Sequence, residues 1–189
     1  MPNWCNNGIT IKHKDPAMIE RVLKGQEGLL MEFIPTPQDL LETVAGFPGS
    51  DKEAAHEAQK ARNLAKYGSK DWYDWNVFNW GTKWDISLEN VNLVDPNTVS
   101  ASFESAWAPP VNAYEKLCAM GFEIEAYYDE PGMCFCGKWT GDENDFFDDY
   151  REYGGETSET VREAIGEDLD DYFGISETMS QWEEENEKN

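Results

Sequence analysis

The chain of 189 residues is strongly acidic, with 38 Asp and Glu residues against 15 Lys and Arg residues and a formal net charge of −23. This length fits one domain, or one domain with an appendage, and is sufficient to bury a core. Negative potential repels nucleic acids and anionic membranes, and it attracts basic protein surfaces. We therefore expect neither a nucleic acid nor a membrane as a direct partner.

The first residues lack the basic and apolar segments of a secretory signal, and no stretch approaches the roughly 18 apolar residues of a membrane span. The four cysteines are scattered and form no Cys-x-x-Cys pair, a pattern more typical of reduced thiols in a core than of a metal site. We therefore expect a cytoplasmic protein.

The beginning of the chain shows a strand, a helix and a second apolar run. Ile9 and Ile11 alternate with polar residues and predict a first strand. Asp15-Pro16 is a typical helix start, with a capping carboxylate followed by proline at the first helical position. The short apolar run over residues 29–33 is predicted to be the second strand.

Residues 38–70 differ in composition from the rest of the chain. Gly46, Pro48 and Gly49 interrupt the chain, and an alanine-rich helix is predicted from about residue 51 to 67. Residues 51–70 carry five Lys and Arg residues against three acids, so this segment is the least acidic. We interpret residues 38–70 as a helical insertion lying on the domain.

Residues 71–84 contain four of the eight tryptophans. The spacing of Trp72, Trp75 and Asn79 predicts a helix, and Gly81 is a candidate left-handed cap at its end. Rings of this kind bury roughly 150–250 Å² each. The segment is therefore a candidate nucleus for the core, and a strand is predicted to begin at Trp84.

The remainder of the domain is predicted to contain four strands and a helix. Alternation places strands near residues 84–94, 99–105, 122–128 and 133–139, with a helix over 111–118. Together with the first elements, this order approximates the split β-α-β pattern of a ferredoxin-like sandwich. The sequence therefore predicts an α+β protein in which residues 1–140 form a ferredoxin-like antiparallel sheet with helices on one face.

Five motifs occur in a specific order along this domain: Met1-Pro2-Asn3-Trp4-Cys5-Asn6-Asn7, Phe33-Ile34-Pro35-Thr36-Pro37, Asn79-Trp80-Gly81-Thr82-Lys83-Trp84-Asp85, Ala106-Trp107-Ala108-Pro109-Pro110 and Glu130-Pro131-Gly132-Met133. In order and spacing they resemble the YubB-type ferredoxin-like family of phage and conjugative-plasmid proteins. The resemblance covers residue 1 to about 140. It implies a ferredoxin-like fold and an origin in a mobile element, and it implies no activity.

The dipeptide Asn-Trp occurs at residues 3–4 and again at residues 79–80. With further aromatic residues, these dipeptides could form a concave apolar pocket with few polar groups, which is the usual geometry of a small-ligand site. The candidate pocket residues are Asn3, Trp4, Asn6, Asn79, Trp80, Lys83, Trp84 and Trp107. The alternative is that the rings fill the core and the asparagines cap turns.

The sequence contains no recognisable catalytic constellation. The only histidines, His13 and His56, lie outside any nucleophile–base motif. A calcium-binding loop starting at Asp142 would need glycine at its sixth position and glutamate at its twelfth, but these positions are Phe147 and Tyr153. We predict no catalytic residue, no metal site and no cofactor, and we interpret the protein as non-enzymatic.

Residues 141–189 are predicted to form an acidic helical extension. From residue 140 onward, 18 acids stand against three bases. A docked helix is predicted over residues 160–173, with a capping box of Thr160 and Glu163. Acids near the end of such a helix are opposed by its dipole, which suggests a role in function. The candidate partner-binding residues are Asp142, Asp145, Asp148, Asp149, Glu163, Glu167, Asp168, Asp170 and Asp171.

We expect these carboxylates to share one face and to replace phosphates in front of a basic partner. Residues 160–171 would span about 18 Å as a helix, over which duplex DNA shows about ten charges. The sequence favours a non-enzymatic phage protein that binds and blocks a basic, nucleic-acid-binding host defence protein in the host cytoplasm, as a DNA mimic. The alternative is a protein that binds or sequesters a small, nucleotide-like ligand in the Trp/Asn pocket.

Overall fold

A computed structural model describes residues 2–154 and 157–187, apart from the side chain of Glu187. Met1, with which the predicted domain begins, and residues 155–156 and 188–189 of the predicted extension lie outside this description. The strands are β1 (Trp4–His13), β2 (Glu89–Asp95), β3 (Thr98–Ala106), β4 (Phe122–Glu130), β5 (Phe135–Gly141) and β6 (Phe146–Glu152). The helices are α1 (Pro16–Lys24), α2 (Leu29–Phe33), α3 (Gln38–Leu41), α4 (Glu53–Tyr67), α5 (Trp72–Trp80), α6 (Val111–Cys118), α7 (Ser158–Ile165), α8 (Glu167–Phe173) and α9 (Ile175–Glu187).

The strands form one antiparallel sheet in the order β2-β3-β1-β4-β5-β6. The elements β1, α1, β2, β3, α6 and β4 make the two halves of a split β-α-β unit. Helices α2 to α5 are inserted between α1 and β2, and the hairpin of β5 and β6 extends the sheet beyond β4. The predicted α+β class with an antiparallel sheet is confirmed.

The main core lies between one face of the sheet and the helices α1 and α6. Ile11, Phe103 and Trp139 point from β1, β3 and β5 toward this core and are almost completely buried. From α6, Tyr114 packs its ring against Trp139, with centroids 5.2 Å apart. Because side chains alternate along a strand, the intervening residues face the opposite side of the sheet.

Helix α5 and its end agree with the sequence prediction. The carboxylate of Asp71 accepts a hydrogen bond from the backbone N–H of Asp74 at 3.1 Å, which caps the start of the helix. Gly81 ends it with a left-handed conformation, at a φ of +85°. Trp80 is buried, and its ring N–H donates to the carbonyl of Ile34 at 2.9 Å. This part of the tryptophan-rich segment therefore belongs to the core.

The prediction of a strand over residues 29–33 is wrong, because this segment is the helix α2. The carboxylate of Asp85 accepts hydrogen bonds from the backbone N–H groups of Leu30 and Met31, at 2.8 and 3.2 Å. This distant residue satisfies the free N–H groups of the first helical turn. The second strand of the fold is β2, which begins at Glu89 rather than at residue 84.

The prediction that residues 141–189 are helical is wrong for the first part of this range, because β6 pairs with β5. Aromatic contacts join the two strands. The ring of Phe146 stacks on Trp139 with centroids 5.9 Å apart, and Tyr150 lies 5.3 Å from Phe135. Contacts of this kind between neighbouring strands stabilise a sheet.

The helix predicted over residues 160–173 is divided at Gly166, whose φ is +80° and ψ is 160°. The capping box is formed by Thr157 and Thr160, one turn before the predicted one. Asp168 and Asp170 consequently lie in the first turn of α8. The helix dipole favours acids there, so the predicted electrostatic cost of these residues is wrong.

Helices α7 to α9 pack on the opposite face of the sheet from α1 and α6. Val161, Ile165 and Leu169 form a second apolar cluster with Cys136 of β5 and with Tyr153. Cys136 points away from the main core because it alternates with its neighbours along β5. Helices α1 and α6 of the predicted ferredoxin-like domain share one face of the sheet, as predicted, and the helices of the C-terminal extension cover part of the other face. No helix within the described ranges is both long enough and apolar enough to cross a membrane.

Candidate functional site

The acids predicted to bind a partner do not share one surface. Asp148 and Asp149 are neighbours on β6, so their side chains lie on opposite faces of the sheet. Asp148 accepts a hydrogen bond from the hydroxyl of Tyr128 at 2.6 Å. The guanidinium of Arg151 donates to both carboxylate oxygens of Asp149, at 2.6 and 3.1 Å, and lowers the pKa of that carboxyl. Asp149 is therefore ionised but already paired with Arg151, so its charge is largely compensated within the protein.

Three acids of α8 surround a single arginine. Arg162 lies 3.0 Å from Asp171, 3.2 Å from Asp170 and 3.9 Å from Glu167. The carboxylate of Asp170 is buried and also accepts hydrogen bonds from the backbone N–H and hydroxyl of Ser176, at 2.7 and 2.6 Å. Asp170 therefore joins α7, α8 and α9 and has no surface to offer a partner.

The remaining predicted acids of the helices are exposed but separate. Glu163 lies on α7, whereas Asp168 borders a cavity of about 290 Å³ together with Lys138 and Arg151. The prediction of one shared acidic face is wrong for two physical reasons. Alternation along β6 divides its acids, and Gly166 changes the direction of the helices.

The face of the sheet opposite the main core is partly open. Thr10, Glu125 and Thr140 are direct neighbours on β1, β4 and β5, and they lie on this face. A groove of about 430 Å³ opens above them. It is lined by Thr10, Lys12, Glu123, Ile124, Glu125, Thr140, Gly141, Asp142, Asp145, Phe146 and Phe147. We call this the sheet groove.

The sheet groove combines carboxylates with an exposed aromatic ring. Asp142 and Asp145, both predicted partner-binding residues, lie at its rim with Glu123. The backbone N–H groups of Asn144 and Asp145 donate to the Asp142 carboxylate, and these hydrogen bonds lower its pKa, which keeps it ionised. Phe147 lies on the same face as Thr140 and is 65% exposed, whereas the ring of Phe146 stacks on Trp139 on the opposite face. An aromatic ring beside acids suits a guanidinium group.

A second cavity of about 350 Å³ adjoins the sheet groove and shares Thr10 and Glu125 with it. Its wall includes Tyr127 of β4 and Tyr172 of α8, whose rings are parallel with centroids 4.2 Å apart. Gly8 makes this contact possible, since a Cβ atom there would lie 1.8 Å from the hydroxyl oxygen of Tyr172. The two cavities therefore extend along β1.

Three rings gather around Lys83 near the start of β1, and a fourth ring contacts one of them. The ammonium of Lys83 lies 4.4 Å from the ring centroid of Trp84, 5.5 Å from that of Trp107 and 5.8 Å from that of Tyr73. Trp4 contacts Trp84 with centroids 5.8 Å apart. We call Trp4, Tyr73, Lys83, Trp84 and Trp107 the tryptophan cage.

The other predicted pocket residues lie outside the tryptophan cage or contribute only backbone. Trp80 is in the core, and Asn79 donates to the carbonyl of Trp75 at 2.9 Å and accepts from Lys116. Asn3 accepts the backbone N–H of Trp107 at 3.0 Å. The structure thus brings together four of the eight residues predicted to form a pocket, namely Trp4, Lys83, Trp84 and Trp107.

Asn6 is exposed but contacts a separate polar group of buried residues. Its side chain hydrogen-bonds Asp129, whose carboxylate also accepts the hydroxyl of Tyr153 at 2.5 Å. Burial raises the pKa of Asp129 in spite of these hydrogen bonds. Within residues 2–154 and 157–187, no three His, Cys, Asp or Glu side chains are grouped so as to hold a metal ion.

Sequence reasoning missed several residues of both surfaces. Tyr73 lies in the tryptophan-rich segment, but its helical spacing did not indicate that it belongs to the tryptophan cage. Glu123 alternates with buried neighbours on β4, and this outward position was a usable signal. Phe146 and Phe147 stand between acids in the sequence, a pattern that favours an exposed strand with aromatic contacts.

The topology and the partly open sheet define a ferredoxin-like α+β protein with a mixed acidic and aromatic surface. The chain belongs to the family described as "Ferredoxin-like domain in Api92-like protein", whose model matches residues 79–187. The match continues beyond residue 140, where the resemblance noted in the sequence ended, and includes β6 and the C-terminal helices.

A crystal structure of the protein Api92 from Yersinia pseudotuberculosis is 14% identical to this chain, with a TM-score of 0.48. That comparison covers 82% of this chain and 99% of the other. No curated protein matches the sequence significantly.

Proposed function

We propose that this is a non-enzymatic acidic protein that binds and blocks a basic, nucleic-acid-binding defence protein of a bacterial host. In this proposal, a phage or conjugative plasmid encodes it, in line with the resemblance to the YubB-type family, and it acts in the host cytoplasm. The observation that supports the proposal best is the sheet groove, where carboxylates lie beside the exposed ring of Phe147.

The sheet groove is a better candidate for the contact than the C-terminal helices. On α8, Glu167, Asp170 and Asp171 are already paired with Arg162. At the groove, Glu125 pairs with Lys138 at 2.9 Å. Within the described residues, none of the ion pairs involves Glu123, Asp142 or Asp145. These three carboxylates are therefore available to a cationic partner.

A guanidinium group is the chemistry that this groove suits. It forms charge-assisted hydrogen bonds to carboxylates and stacks on aromatic faces. A nucleic-acid-binding protein presents such groups where it contacts phosphates. Occupation of these groups by the acidic protein would exclude the nucleic acid, and the net charge of −23 would accelerate the encounter. Blocking therefore needs no continuous imitation of the DNA charge pattern.

The test compares two variants that lose the same charge. Glu123→Gln with Asp145→Asn removes two carboxylates from the sheet groove, and Glu159→Gln with Glu163→Gln removes two from α7. Binding of a short poly-arginine peptide is measured by titration calorimetry at increasing sodium chloride. We expect a decrease in affinity of up to about thirtyfold for the groove variant, from two contacts of at most about 1 kcal/mol each, and a small effect for the α7 variant.

Affinity should also fall as salt increases, because exposed charges are screened. If both variants lost the same affinity for the peptide, binding would depend only on the net charge of the protein and not on the sheet groove. Binding that is insensitive to salt, or no binding, would reject the proposal. With the protein immobilised in a bacterial lysate, the proteins retained at low salt should be basic and nucleic-acid-binding, and the groove variant should retain less of them.

We propose as a second candidate the binding of a small, nucleotide-like ligand at the tryptophan cage. The observation that favours it is the position of the Lys83 ammonium beside exposed tryptophan rings. A base would stack on a ring, and the ammonium would pair with a phosphate. Titration with adenosine monophosphate should then quench tryptophan fluorescence, and Lys83→Ala should abolish the effect. Unchanged fluorescence in the wild type would remove this candidate.

A further inference from the structure

The tryptophan cage is built around a cation. Lys83 is partly buried, and its ammonium lies within 5.8 Å of three ring centroids. This is the distance range in which an aromatic ring attracts a cation. Among the described residues, none of the ion pairs includes Lys83, although the chain is rich in acids. The rings are therefore the partners that hold this charge in place.

The rings remain accessible from solvent. Trp4, Trp84 and Trp107 are 42%, 38% and 40% exposed. Large aromatic rings that are exposed together are unusual on a soluble surface and are frequent at the centres of protein interfaces. Lys83 occupies the site with a flexible side chain, so an external cation can displace it without movement of the backbone.

The backbone at Trp107 is strained. Its φ is +69°, a conformation that costs free energy for a bulky residue. The backbone N–H of Trp107 is fixed to the carbonyl of Asn3 at 3.0 Å, and its ring contacts Tyr73. The structure thus holds this ring against Lys83 at a cost, as is common at binding sites.

We propose that the tryptophan cage is a receptor for a cationic side chain, arginine or lysine, of the basic partner, and that Lys83 occupies it until the partner binds. This inference rests on the proposed function and deepens it. Alternation along β1 places Trp4 on the same face of the sheet as Thr10 and Lys12. Trp4 in the cage and Thr10 in the sheet groove thus lie about 20 Å apart along that strand, within reach of one partner.

The geometry favours a cation over a nucleobase. A base stacks on an open ring face, but the Lys83 ammonium already lies 4.4 Å from the ring centroid of Trp84, and Trp4 contacts that ring at an inclination of 32°. A positive charge, in contrast, requires only that several ring faces surround one point. Lys83 demonstrates that such a point exists.

The test uses tetramethylammonium chloride as the probe, with the indole N–H signals of the tryptophans followed by NMR. Lys83→Ala removes the internal cation and keeps the backbone carbonyl that accepts a hydrogen bond from Asn76 at 3.0 Å. In this variant we expect saturable shifts at Trp84 and Trp107, with tighter binding than in the wild type. The buried Trp80 should not shift, and sodium chloride at the same ionic strength should have no effect.

A ring deletion supplies the matched control. Trp107→Gly in the Lys83→Ala background removes one ring at a position whose positive φ suits glycine. We expect tetramethylammonium to bind about two- to fivefold more weakly in this double variant. Folding of each variant is checked by the dispersion of the other NMR signals.

Two results would overturn the inference. One is the absence of saturable shifts in both the wild type and Lys83→Ala. The other is binding of adenosine monophosphate to the wild type that disappears in Lys83→Ala, because a cation receptor gains affinity when its internal lysine is removed and an anion site loses it. Neither result affects the poly-arginine experiment, which tests the sheet groove. The role of the cage and the proposed function can therefore be rejected separately.

Discussion

Substitution of Asp170 tests how the C-terminal helices are held on the sheet. Its side chain is only 3% exposed and accepts hydrogen bonds from Arg162 at 3.2 Å and from the backbone N–H and hydroxyl of Ser176 at 2.7 and 2.6 Å. Asp170→Ala removes all three and leaves the two Ser176 donors without their acceptor, while Arg162 keeps its ion pair with Asp171 at 3.0 Å. Loss of one partner from a buried ion pair costs about 3–5 kcal/mol. Because Arg162 is 46% exposed and can be rehydrated, we expect about 3 kcal/mol.

Asp171→Ala is the matched control. Asp171 pairs with the same Arg162 at 3.0 Å, but its side chain is 68% exposed. Exposed pairs contribute about 0–1 kcal/mol because water and salt screen them. Urea denaturation of both variants, followed by circular dichroism, gives the free energy of unfolding. Equal destabilisation by the two substitutions would refute the reasoning that burial, and not charge, decides the role of these acids.

Three further substitutions test other contacts. Gly8→Ala should destabilise the protein by about 1–3 kcal/mol because its Cβ atom would overlap the Tyr172 hydroxyl; in a Tyr172→Ala background the thermal melt should show a smaller loss. Asp149→Asn should lower stability at neutral pH, since the lowered pKa of Asp149 stabilises the fold above about pH 4. That difference should vanish as pH falls through the pKa of the folded state, and a difference that persists in strong acid would contradict the assignment. Trp80→Phe should cost about 1–3 kcal/mol in urea denaturation because a buried carbonyl loses its donor; an unchanged midpoint would argue against the hydrogen bond.

The parts of the fold that sequence could predict depend on local signals. Asp71 and Gly81 mark both ends of α5 through capping chemistry contained in a few neighbouring residues. The run over residues 29–33 carries no such signal, since five apolar residues fit a strand or a helix equally well. Its helical state depends on Asp85, which lies more than fifty residues away in the sequence. Local pattern cannot contain that contact.

The candidate site was predicted only in part, for the same reason. The repeated Asn-Trp dipeptide indicated a pocket, but Trp80 faces the core and Trp4 faces the open side of the sheet. The acidic composition of the C-terminal region was evident, whereas the pairing of its carboxylates with Arg151 and Arg162 required the three-dimensional structure. The number of charged residues predicts the sign of the surface potential. Which carboxylates remain unpaired depends on how the chain packs.

The most direct measurement of the central claim is an NMR titration of the wild-type protein with a short poly-arginine peptide. We predict that backbone signals of Thr10, Glu125 and Thr140 shift together with the indole signals of Trp84, while signals of α7 and α9 remain unchanged. Shifts concentrated on α7 to α9, or spread evenly over the acidic surface, would contradict the assignment of the open sheet face as the binding surface.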